Sequence, residues 1–104
     1  MIVEERDYRV RAGKLAAFVA IYGEHGLPIQ IEYLGTFLGY FTTEHGELNH
    51  VVAWWSYEGL DDREARRARM MEDPRWQAYL AKVDGLLDTQ SSRILKPTSF
   101  SPLR

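Results

Sequence analysis

Leu34–Tyr57, LGTFLGYFTTEHGELNHVVAWWSY, decides the fold. Two runs, Thr36–Thr43 and Leu48–Tyr57, flank the polar, glycine-containing turn Glu44-His45-Gly46-Glu47, so the segment reads as a β-hairpin with long arms. Side chains alternate between faces along a strand. The first arm therefore places Leu38, Tyr40 and Thr42 opposite Phe37, Gly39 and Phe41. The second places Leu48, His50, Val52 and Trp54 opposite Val51, Ala53, Trp55 and Tyr57. Both arms are apolar on both sides, and such a sheet needs cover on both faces.

Upstream, Ile2–Val10 alternates as a strand, with Ile2, Glu4, Arg6, Tyr8 and Val10 on one side and Val3, Glu5, Asp7 and Arg9 on the other. Leu15, Phe18, Tyr22 and His25 recur at helical spacing, which predicts a helix over Lys14–His25. Gly26-Leu27-Pro28 interrupts it, and a short helix over Pro28–Leu34 is expected to stop at a left-handed Gly35. Downstream, Gly59 caps a charged helix over Leu60–Glu72. Asp73-Pro74 starts another, with Trp76, Tyr79, Leu80, Val83 and Leu87 in one stripe. A last strand is expected over Ser91–Lys96, followed by a tail bearing Phe100 and Leu103.

The element order, βαββαβ, predicts an α+β, ferredoxin-like protomer with a four-stranded antiparallel sheet, as one domain over residues 1–104. The first and third strands take the middle, and the helices cover one face. Nothing remains in the chain to cover the other face, which points to a second copy packed sheet on sheet: a homodimer forming a dimeric α/β barrel.

Composition fits a globular domain, with 45% hydrophobic residues, 27% charged residues and a net charge of −2. The acidic balance argues against a nucleic-acid partner. The absence of cysteine excludes disulfides and thiolate chemistry. No apolar run reaches the roughly 20 residues of a membrane span, and MIVEERDYRV is acidic where a leader would be basic, so a cytoplasmic location is expected.

No nucleophile triad, phosphate loop or metal-spaced cluster occurs, and neither metal nor cofactor is expected. Among the histidines, His45 lies in the solvated turn and His25 at a helix end. His50, beside Val52 and Trp54, is the candidate catalytic acid or base. Its competing reading is a hydrogen-bonded core or interface residue. Arg6 and Tyr8 share a strand face and could hold an anionic or phenolic ligand. Against that stands an Arg6–Glu4 or cross-dimer ion pair. Tyr40, Asn49, Trp54 and Trp55 complete the candidate ligand cleft, with packing as their alternative role. The arginines of positions 63–69 read as a solvated face paired with Asp62 and Glu64.

Several segments together resemble the NIPSNAP family: Arg6-Asp7-Tyr8 with Ala12-Gly13-Lys14, Gly26-Leu27-Pro28-Ile29-Gln30, Leu38–Glu44, Leu48–Val52, Trp55-Ser56-Tyr57, Asp62–Arg67, Asp73-Pro74-Arg75-Trp76 and Arg93-Ile94-Leu95. The chain departs from the family pattern in Glu5 and in the doubled Trp54-Trp55. The resemblance implies a ferredoxin-like protomer in a two-fold dimer and supplies no assigned reaction. Three functions follow as expectations. The first is a homodimer binding a small apolar, aromatic or phenolic molecule between sheet and helices. The second, by analogy with the wider superfamily, is a cofactor-independent monooxygenase-like enzyme using Trp54 or Trp55, Asn49 and His50. The third is a protein-interaction module without ligand.

Overall fold

The computed structural model describes all 104 residues. Strands β1 (Ile2–Val10), β2 (Thr36–Thr42), β3 (His50–Tyr57) and β4 (Leu87–Leu95) form one sheet in the order β2-β3-β1-β4. All neighbours are antiparallel. Helices α1 (Leu15–Ile21), α2 (Leu27–Tyr33), α3 (Leu60–Met71) and α4 (Pro74–Lys82) supply the cover for one face. This is the ferredoxin-like α+β arrangement that the element order predicts. No helix is long and apolar enough to cross a membrane.

Strand β3 sets the division of the sheet. Val51, Ala53, Trp55 and Tyr57 are buried against the helices, and His50, Val52, Trp54 and Ser56 turn to the open face half-buried. Phe18 of α1, Ile29 of α2, Met70 of α3 and Trp76 and Tyr79 of α4 close the same core. Trp55 is wholly buried. Burial of a side chain that large is worth about 3 kcal/mol at the usual apolar coefficient.

Four local expectations are corrected. Strict alternation in β2 fails, because Phe37 pairs with Trp55 while Tyr40 pairs with Ala53, leaving Leu38 as an extra residue. That bulge brings both Phe37 and Tyr40 to the helix face. Strand β4 begins at Leu87, before the expected Ser91, because Leu87 pairs with Val10 past a second bulge at Asp88.

The chain between α1 and α2 does not break at Gly26-Leu27-Pro28. It stays helical through a π turn, Tyr22–Gly26, in which the Leu27 N–H reaches back five residues to the Tyr22 carbonyl. The wider turn accommodates Pro28, whose missing N–H would leave a carbonyl of a regular α-helix unpaired and whose ring would clash with the preceding turn. Finally, Gly35 is not left-handed; a Cβ there would lie 1.9 Å from the Ser56 carbonyl oxygen. Glycine is required at that position so that the backbone entering β2 can pass β3.

Helices α3 and α4 start as their sequences dictate. Asp62 accepts from the Glu58 N–H at 3.1 Å beside Gly59, which has no side chain to cap with. Asp73 caps α4 by accepting from the Arg75 N–H at 2.8 Å, with Pro74 in the first turn. Arg66 pairs with Asp62 at 2.8 Å one turn back and reaches the Tyr33 and Leu34 carbonyls at the end of α2.

Candidate functional site

The cross-strand rows of the helix face build the floor of an internal cavity. Register places Ser92, Arg6, Ala53 and Tyr40 side by side, with Gln90, Tyr8 and Val51 in the next row. Residues from the helices, Phe18, Tyr22, Trp76, Tyr79 and Val83, form the roof. The cavity, partly open to solvent past Met71 and Leu80, has a volume of about 170 Å³, and 13 of its 17 lining residues are hydrophobic. Gly26 allows the roof to close, since a Cβ there would sit 2.7 Å from the Tyr79 ring.

The aromatic rings hold one another. Tyr22 stacks on Tyr40 with centroids 4.6 Å apart, Tyr79 meets Tyr22 edge-on at 6.2 Å, and Trp76 lies 4.9 Å from Tyr79. Such pairs add to simple burial and fix ring orientation. Tyr22 donates to the Gln30 side-chain oxygen. Burial first, then the neighbouring hydroxyls, pushes the Tyr22 and Tyr40 phenols well above the ordinary range, and burial does the same for Tyr79. At neutral pH these groups are protonated and act as donors.

One end of the cavity is ionic. The Arg6 Nε donates to the Tyr8 hydroxyl at 2.7 Å, and its Nη1 to Glu4 Oε2 at 3.1 Å. The same carboxylate oxygen accepts from Arg63 Nη2 and from the Ser92 hydroxyl, each at 2.7 Å. Glu4 is fully buried, and its second oxygen has no partner. Burial works to raise this carboxyl; the bonds from Arg63 and Ser92, with the Arg6 charge, outweigh it and hold the group below the usual range. The Tyr57 phenol is pushed up to about 12, chiefly by burial.

The seven candidate ligand residues from the sequence divide between two faces. Arg6, Tyr8, Tyr40 and Trp55 line the cavity together. Asn49, His50 and Trp54 do not. Asn49 closes the hairpin in the left-handed region at φ 65°, and its carbonyl accepts from the Val10 N–H at 2.7 Å. His50 lies on the open face with Nδ1 2.6 Å from Asp7 and Nε2 3.2 Å from Glu47. Trp54, also on the open face, donates to Glu5 at 3.1 Å and packs edge-on against Phe41.

Sequence reasoning missed Tyr22, Trp76 and Tyr79 as site residues, because helical stripes of aromatics read as ordinary core. It also missed Arg67 and the inward role of Arg63. These two lie four residues apart on one face of α3, the stripe that ends in the wholly buried Met70. That spacing was the available signal. Only part of the arginine run is the expected solvated face.

Sheet, cover and cavity define the class: a ferredoxin-like α+β protein with an aromatic pocket between sheet and helices. The NIPSNAP family model matches residues 3–102, and the chain belongs to that family. A crystal structure of a NIPSNAP family protein from Agrobacterium tumefaciens is 47% identical with a TM-score of 0.96, over 99% of this chain and 98% of that one. Protein NipSnap homolog 3B of Mus musculus is 46% identical over 70 residues, which is 66% of this chain and 28% of that protein. The chain thus matches under a third of the length of that animal relative. The same fold recurs in a putative antibiotic biosynthesis monooxygenase from Nitrosomonas europaea, with a TM-score of 0.69 at 14% identity over 93% of this chain and 98% of that one.

Proposed function

We propose that this NIPSNAP domain is a homodimeric binding protein that takes a small apolar or phenolic molecule into the cavity of each protomer. The observation that carries the reading is the 170 Å³ cavity walled by tyrosine and tryptophan rings, with Arg6, Arg67 and two glutamines as its few polar side chains. Pockets of that make-up favour flat apolar ligands oriented by a few hydrogen bonds. A dry cavity of ~150 Å³ holds one benzene ring. Tyr40 and Tyr79 have no protein partner for their hydroxyls, so a phenol or ketone entering the site would find donors in place.

Support for the dimer comes from the open face, where Phe41 is 46% exposed beside half-buried Val52 and Trp54. A second sheet laid on these residues would bury them. Binding is favoured over turnover because the titratable groups lining the cavity are tyrosines and two arginines, with no carboxylate or imidazole among them to move protons near neutral pH.

The test is a thermal-shift titration with neutral aromatics, p-cresol and naphthol, on the wild type and on Ala53→Leu, which fills the cavity floor. The expected result is a concentration-dependent rise in midpoint for the wild type that the variant loses. No shift with either ligand, or an equal shift in both proteins, would overturn the proposal.

A further inference from the structure

The charge around the cavity does not balance. Three guanidiniums, Arg6, Arg63 and Arg67, lie on the helix face around one buried carboxylate, Glu4. Arg6 and Arg63 both bond to it. Arg67 makes neither an ion pair nor a hydrogen bond, yet it lines the cavity beside Arg6. None of the 17 lining residues is aspartate or glutamate. Burial, then the Arg6 charge, pushes the Arg67 guanidinium below its ordinary value; the Glu4 charge pulls the other way without offsetting them, and Arg63 adds to the depression.

An unpaired, partly desolvated guanidinium costs free energy unless something supplies the counter-charge. Its five donors suit a planar or tetrahedral oxyanion. The rest of the wall is aromatic and apolar, so the counter-ion that fits is attached to an apolar body rather than being a free inorganic ion. Gln90, at the same end of β1 and β4 as Tyr8, adds one more polar side chain to the lining.

We propose that the cavity selects a small aromatic molecule bearing an anionic oxygen head group, with Arg67 as the residue that recognises the anion beside Arg6. The inference rests on the reading of the cavity as a ligand site. Arg67 is a specificity determinant in this account, and Glu4 positions Arg6 by fixing its other edge.

Isothermal titration calorimetry with four probes of similar size tests it: phenylacetate, phenyl phosphate, neutral phenylacetamide and cationic phenethylamine. The wild type is expected to bind at least one of the two anions roughly tenfold or more tighter than the amide, as charge-assisted hydrogen bonds allow. The amine is expected to be rejected. Whichever of carboxylate and phosphate binds tighter identifies the head group.

In Arg67→Met the anion preference is expected to vanish while amide affinity stays. Arg67→Lys retains part of the preference, since the charge remains and the planar fork is lost. Because Arg67 holds no protein partner, neither variant is expected to lower the thermal midpoint. Equal binding of amide and anions by the wild type would overturn the inference and leave the cavity reading intact. A cavity that binds neither these four probes nor the neutral aromatics would overturn both. An anion preference that survives Arg67→Met would remove Arg67 from the role.

Discussion

Glu4→Gln is the sharpest single perturbation of this architecture. The side chain has no solvent exposure, and its Oε2 is the common acceptor for Arg6, Arg63 and Ser92 at 3.1, 2.7 and 2.7 Å. The glutamine keeps the volume and, with its oxygen at the Oε2 position, the shared acceptor, but removes the only negative charge facing three guanidiniums and buries its amide N–H₂ where Oε1 already has no partner. Breaking one side of a buried ion pair costs about 3–5 kcal/mol, a fifth or more of the roughly 5–15 kcal/mol stability of a domain. Urea unfolding at pH 7 reads this directly, as a lowered midpoint at unchanged slope.

The pH dependence of the same comparison has a definite sign. The folded-state pKa of Glu4 lies below its usual 4.5. Its stabilisation is therefore fully present above the unfolded carboxyl's pKa and is lost as pH falls through the folded value. The gap between wild type and Glu4→Gln should hold constant from neutral pH down to about 5 and close progressively at more acid pH. A gap under about 0.5 kcal/mol at pH 7, or one that widens in acid, would refute the assignment of Glu4 as the buried counter-charge.

Other outcomes follow from particular contacts. Trp55→Ala, at a wholly buried position packed 4.9 Å from the Phe37 ring, should cost about 3–5 kcal/mol in the same urea assay. Gly35→Ala should destabilise by about 1–3 kcal/mol, because its methyl group meets the Ser56 carbonyl and the strand must shift; calorimetry of the purified variant checks it. Trp54→Lys, on the open face, should change the protomer's unfolding free energy by no more than about 1 kcal/mol while abolishing the proposed dimer, as read by light scattering after size exclusion. Loss of stability without loss of assembly would place Trp54 in the monomer's own packing instead.

The sheet order was legible from the order of elements, and the uninterrupted alternation of β1 and β3 says which of their residues share a face, though not which face the helices cover. What escaped was every place where one residue is inserted. The bulges at Leu38 and Asp88 each break a period that a count of alternating residues carries straight through, and Gly26 and Pro28 at the π turn Tyr22–Gly26 read as a break in the helix rather than as a widened turn. The bulge at Leu38 decides that Tyr40 and Phe37 share a face, and no periodicity count reports it.

The site was legible to the extent that it is built from strands. Arg6, Tyr8, Tyr40 and Trp55 come together through cross-strand register, which the sequence pattern constrains. His50 and Trp54 were grouped with them only by nearness in the chain, yet they alternate with Val51, Ala53 and Trp55 and so turn to the opposite face. Arg67 stayed hidden for a different reason. A run of arginines on a charged helix looks uniformly solvated, and the one signal against it, the four-residue spacing that puts Arg63 and Arg67 on the stripe of buried Met70, is easily passed over beside Arg66, which pairs with Asp62.

Native mass spectrometry of the protein isolated from its own host, under gentle conditions, tests the central claim that this domain is a dimer holding a small aromatic ligand. The expected spectrum shows twice the 12.1 kDa chain mass plus a reproducible small adduct, released on denaturation and aromatic in its fragment masses. A species at the single chain mass with no adduct, from protein that remains folded, would contradict both the covered sheet face and the occupied cavity.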